Sequence, residues 1–326
     1  GNTTGFGANT YIGHGAGRGH VGGASIHIGY EAGKHTASGS SDVYIGYNSG
    51  KITHLSGDPS GSHTNNGRGG LNVAVGYKAM MHGGKTSVAI GHDALSYQSG
   101  SSACVAIGYA AMEGATRDIA NATAVGYAAG AALPDTLYSG QTVIGYSAGY
   151  KAGQSVTSVG ASSGYRIGPS STAVGTEALS RGTGNNNTGI GMYALRGNPY
   201  TQGLETGNST GANNVAVGHS AMLNYYSASF NTALGNGAGY FAVDQEYSTY
   251  IGYYTGYYAT SSYNTFVGSK AGLGNSSAPY ASGYGNTAVG YATLENFTTG
   301  LQNVVMGMQA GNDITTGTDN TMMGFR

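Results

Sequence analysis

Acid–base, nucleophilic or metal chemistry needs several reactive side chains converging on one point, and this chain of 326 residues offers few: 14 Asp and Glu, nine His and one Cys. The acidic residues are spread singly. The nearest pair, Asp244 and Glu246, has no base beside it, so two-carboxylate glycoside hydrolysis would require residues distant in sequence to meet in the fold. Eight histidines precede residue 93, namely His14, His20, His27, His35, His54, His63, His82 and His92. His14, His27 and His92 hold different places in the local pattern or lie far apart, so no shared metal is expected and solvated surface histidine is. Cys104 has no disulfide partner and no indicated His/Asn partner, and is expected to be a small buried filler. The stretch Gly13, Gly15, Gly17 mimics a dinucleotide fingerprint without the surrounding βαβ pattern. The sequence therefore predicts no enzyme, no metal and no cofactor.

Tyrosine is the stronger lead, with 27 copies. The segment 240–263 carries Tyr253, Tyr254, Tyr257 and Tyr258, and Tyr200 lies in a non-repeat stretch. A ring with an apolar face and a polar tip suits a sugar or a protein partner; the same rings would equally cover a thin core or a seam between subunits.

Those side chains need a scaffold, and composition limits what it is. Glycine accounts for 61 of 326 residues and net charge is −1, against a usual glycine share of about 7%. So much glycine does not build a thick core, and without a basic run neither nucleic acid nor an anionic membrane is attracted. No run of 18 apolar residues occurs, so membrane insertion is not expected.

Self-comparison finds the architecture. Units such as NVAVGYKAM (72–80), SVAIGHDAL (87–95) and NTAVGYATL (286–294) recur in 19 copies aligned on a glycine, from Gly7 to Gly324. Most intervals are 15 to 19 residues; the longer ones, of 30, 27 and 22, place inserted loops near 47–72, 192–214 and 269–286. The residue before each glycine is large and apolar, and two positions earlier stands Thr, Val or Ile. These two share one strand face, and they are expected to be buried. Asn, Ser or Asp usually opens the unit, Asn in seven of the last eight copies; it forms either an amide ladder along the stack or simply a turn. The residue after the glycine is Tyr77, Tyr109, Tyr127 or Tyr146 in four of five consecutive copies, with His92 interrupting, an expected aromatic stack. The chain thus predicts one continuous all-β, parallel β-solenoid (β-roll) of about 18 to 19 short coils.

Polar residue, β-branched residue, Ala, Ile or Val, Gly, two variable residues, Ala: this pattern resembles the head repeats of YadA-like trimeric autotransporter adhesins and the glycine-rich repeats of phage tail fibres, as in NTAVGYATLENFTTGLQN (286–303). The resemblance implies a left-handed roll, trimeric assembly and attachment at a cell surface or virion. The expected function is a non-enzymatic structural and adhesive element of an extracellular fibre, its partners being further copies of itself and a cell-surface glycan. The alternative is a filament subunit joined head to tail through Phe6 and Ile12 at one end and Met322, Met323 and Phe325 at the other, since neither end reads as a polar cap. A third reading takes the column Thr123, Thr142, Thr157, Thr172 and Thr188 as an ice-binding surface, although it suits the interior as well.

Overall fold

The computed structural model describes residues 7–20, 22–36, 40–52, 70–81, 84–96, 102–114, 119–132, 138–197, 209–277 and 280–326. The protein is an all-β parallel β-solenoid with no helix among the described residues. Its contacts divide into two compact units, 1–155 and 156–326. In the first, eight three-residue strands from Thr10–Ile12 to Thr142–Ile144 pair in sequence order, parallel and in register. A small side sheet joins Ile119–Ala120 to Tyr138–Ser139. In the second unit, ten strands from Thr157–Val159 to Thr321–Met323 pair likewise. Eighteen of the nineteen repeats are therefore strands; the copy ending at Gly7 begins outside the described residues.

Each strand ends at the repeat glycine because only glycine fits there. Gly91 has φ +135°, and a Cβ on it would collide with the carbonyl oxygen of Gly108 in the next coil. After this bend the chain hydrogen-bonds onward, Asp93 N–H to Tyr77 O at 2.9 Å and Leu95 N–H to Ala111 O at 2.9 Å, so neighbouring coils satisfy one another's backbone.

The strand face expected inside is outside. Ile90, Ile107 and Ile144 are 40%, 36% and 41% exposed, and Val125 and Val174 are half-exposed. The middle residue points inward instead: Ala74, Ala89, Ala106, Ala124, Ala173 and Ala288 are wholly buried. Volume explains the reversal. The core is one residue thick, and across it from the strand stands the residue four after the repeat glycine. Where the strand supplies Ala or Gly, the far wall supplies Met or Leu, as in Ala74 with Met80, Ala89 with Leu95, Gly189 with Leu195 and Ala288 with Leu294. Where the strand supplies a large side chain, the far wall is glycine: Tyr44 with Gly50, Val143 with Gly149, Phe266 with Gly272. Three coils are small on both sides, Ala124 with Gly130, Ala233 with Gly239 and Ser158 with Gly164. Their space is filled by Met112 and Val143 of neighbouring coils in the first case, by Met222 and Tyr250 of neighbouring coils in the second, and by Ile167 in the third. Elsewhere small is paired with large, so those coils close at one thickness.

The opening residues form the amide ladder. Asn187 Oδ1 accepts from the N–H and the Nδ2 of Asn214, at 2.9 and 3.1 Å, and Asn214 Oδ1 does the same for Asn231 at 3.0 and 3.1 Å. Asn286, Asn303 and Asn320 repeat it. In the first unit Asp42, Asn72, Ser87 and Cys104 hold the equivalent column. Asn214→Ala would orphan the Asn231 N–H and the Ala228 carbonyl, which now accepts Asn214 Nδ2 at 2.7 Å. A loss of about 2 kcal/mol is expected, whereas Asn214→Ser, the residue at position 248 of the same column, should cost less than half of that. Urea denaturation of both variants checks it.

Candidate functional site

Outward strand positions make two parallel columns on each unit. In the first unit the columns are Thr10, Ile26, Val43, Val73, Val88, Val105, Thr123, Thr142 and Ile12, Ile28, Ile45, Val75, Ile90, Ile107, Val125, Ile144. No charged residue interrupts either. In-register pairing spaces them by roughly 4.8 Å, the separation of adjacent strands. The second unit differs: eight of its ten leading positions are Thr, the exceptions being Val215 and Val304, while the second column stays apolar from Val159 to Met323. The threonine column, ambiguous in sequence, faces outward.

Beside the apolar columns of the first unit runs a third. His14, Tyr30, Tyr47, Tyr77, His92, Tyr109, Tyr127 and Tyr146 stack ring on ring through eight successive coils, with centroids 4.6–5.2 Å apart and planes within 22°. The faces of these rings are spent on one another, which leaves edges and hydroxyl tips for any partner. The expected stack is thus present and longer than the run from Tyr77 to Tyr146.

Four of the predicted ligand-contact tyrosines come together in the second unit. Tyr253 lies on Tyr254 at 4.0 Å, Tyr254 meets Tyr257 edge-on at 4.8 Å, and Tyr257 meets Tyr258 at 4.7 Å. Tyr240, Phe241 and Tyr280 extend the cluster. Tyr253 is exposed and the other three are half-buried; burial, with Tyr240, Tyr258 and Tyr254 alongside, pushes the Tyr257 phenol well above its ordinary pKa. Tyr200 and Phe6 lie outside the described residues. Ile12 is exposed on the first unit, and Met322, Met323 and Phe325 are exposed on the second, where they line a hollow of about 440 Å³ with Ala310 and Ile314.

The ionisable groups are placed differently from expectation. His14 and His92 are surface members of the aromatic stack, but His20 and His27 are buried, at 1% and 0% exposure. His27 occupies the inward strand slot opposite Gly33, and desolvation, with His20 nearby, lowers its pKa to about 3. The signal was available: His27 falls on the strand's middle position, between Ile26 and Ile28. Cys104 is buried as expected, its thiol facing the carbonyls of Ser102 and Ile119 at 3.3 and 3.4 Å, and burial raises its pKa. Among the described residues no three His, Cys, Asp or Glu side chains gather. No protein-family model matches the chain, and no curated protein or solved structure is significantly similar to it.

Proposed function

We propose that this chain is a non-enzymatic, structural and adhesive β-solenoid of an extracellular fibre, on a cell surface or a virion, and that its outward sheet face packs laterally against further copies of the same chain. The observation that supports this most is the pair of uncharged β-branched columns on the first unit, flanked by a tyrosine stack. A face whose leading column is apolar from Ile26 to Val105 and whose second column is apolar from Ile12 to Ile144 is costly to leave in water. Tyrosine is enriched at protein interfaces, and the fully buried centre of an interface is more apolar than the rest of the surface. A second copy is the fitting occupant, because it brings columns of identical chemistry and identical spacing, so that one copy's rows seat between the other's along the whole unit. The tyrosine cluster at Tyr253, Tyr254, Tyr257 and Tyr258 is the candidate contact for a glycan, with Tyr253 the most accessible ring.

Sedimentation velocity tests the lateral assembly. Wild type is expected above the 32.7 kDa of one chain, and Ile90→Asp with Ile107→Asp is expected to return it to that mass with its β-sheet circular dichroism intact. Met323→Asp with Phe325→Asp should leave the mass unchanged. The reverse pattern would favour end-to-end assembly, and a wild-type monomer at high concentration would overturn both readings.

A further inference from the structure

We infer that the first unit contains a buried transition-metal site formed by His20, His27 and Tyr11. Their three rings lie together, His20 to His27 at 4.8 Å, Tyr11 to His27 at 5.1 Å and Tyr11 to His20 at 6.1 Å between centroids. Among the described residues, His20 Nε2, both ring nitrogens of His27 and the Tyr11 hydroxyl are buried with no hydrogen-bond partner. Orphaned polar atoms in a core are costly, and three of these, His20 Nε2, one nitrogen of His27 and the Tyr11 oxygen, can turn to a single ion, the other His27 nitrogen keeping its proton.

The tautomer of His20 strengthens the assignment. Its Nδ1 meets the Thr36 carbonyl oxygen at 3.0 Å and Thr36 Oγ1 at 2.8 Å. The Thr36 hydroxyl donates its own proton to Gly33 O at 2.8 Å. Both neighbours of Nδ1 are therefore acceptors, so Nδ1 carries the proton and the lone pair is on Nε2, the buried orphan. A ring N–H held by a backbone carbonyl, with the other nitrogen free to ligate, is how metal-binding histidines are oriented. At His27 the inward strand slot otherwise holds chiefly Ala, Val, Tyr or Phe. An imidazole there packs between the rings of Tyr11 and Tyr44 at 5.1 and 5.0 Å, contacts that a phenyl ring would supply as well, and it leaves both ring nitrogens without a hydrogen-bond partner.

Two neutral imidazoles and one phenol suit a borderline divalent ion, with copper(II) the tightest of the first-row series. The rings are close enough for two nitrogens to reach one ion at about 2.1 Å. On binding, the Tyr11 O–H bond breaks, its proton leaves to solvent and the phenolate oxygen bonds the metal; no electron is transferred. Uptake therefore releases a proton.

The full chain, stripped with chelator and titrated with copper(II), provides the test by calorimetry and visible spectroscopy. One tight equivalent, a phenolate-to-copper charge-transfer band and a raised Tm are expected. His27→Phe places in the slot the residue that Phe266 already is, opposite a glycine as there, and should weaken the tight equivalent at least 100-fold. Tyr11→Phe should keep copper on the imidazoles and abolish the band, a readout independent of whether His27→Phe folds. No tight equivalent in wild type, tight binding unaltered in His27→Phe, or a band that persists in Tyr11→Phe would each overturn the site.

Discussion

Ala124→Asp is expected to unfold the coils around it, while Val125→Asp, one residue along, leaves the unit folded. Ala124 is 0% exposed, with the far wall and the two adjacent coils closed over it. A carboxylate there has no donor and no water, a cost of about 4 kcal/mol or more. Because each coil is held by its neighbours, that loss opens several coils together. Val125 points outward, and Asp at that position costs about 1 kcal/mol through its poor strand propensity. Thermal melts followed by circular dichroism distinguish the two. Equal damage by both would mean that neither strand face is free.

The second large effect concerns the constant core thickness. Gly272→Leu drives a side chain into the ring of Phe266, because even a Cβ there collides with it, and φ at Gly272 is +54°. Overpacking and left-handed backbone together should cost about 3 kcal/mol. Phe266→Ala alone should cost about 3–5 kcal/mol by leaving a cavity. The double variant recreates the arrangement of the next coil, where Ala288 faces Leu294 and Leu294 itself holds φ +51°. It is expected to be more stable than either single variant, with a coupling of about 2 kcal/mol or more. Additive losses in urea denaturation would contradict volume exchange between the two walls.

Much of this was legible in the sequence. Whereas the recurring Asn187, Asn214 and Asn231 fitted a ladder or a turn equally and only their stacked positions decide for the ladder, the period, the strand, the terminating glycine and the stack through Tyr77, His92 and Tyr109 follow from residue types at fixed spacing. The direction of the strand did not. Alternation marks two faces without saying which is inside, and assigning the bulkier Val and Ile to the interior puts Ile90 and Ile107 on the wrong side. A signal existed in the exchange between the strand's middle residue and the residue four past the glycine. Ala with Leu at 89 and 95, against Tyr with Gly at 44 and 50, reports that those two slots share one space. The burial of His20 was harder to read, because it lies on the return wall, where no repeat position marks inward and outward.

Thiol accessibility at two adjacent positions tests the central claim most directly, that Ala lines the core and the β-branched columns form a face covered by another copy. Cys104→Ser, the residue found at 87 and 171 of the same column, removes the native thiol; Ala106→Cys or Ile107→Cys then adds one. In dilute protein the thiol at 107 should react with maleimide while that at 106 does not, and on concentration the thiol at 107 should become protected. Equal reaction at 106 and 107 would contradict the inward register, and a thiol at 107 that reacts freely at every concentration would contradict the lateral interface.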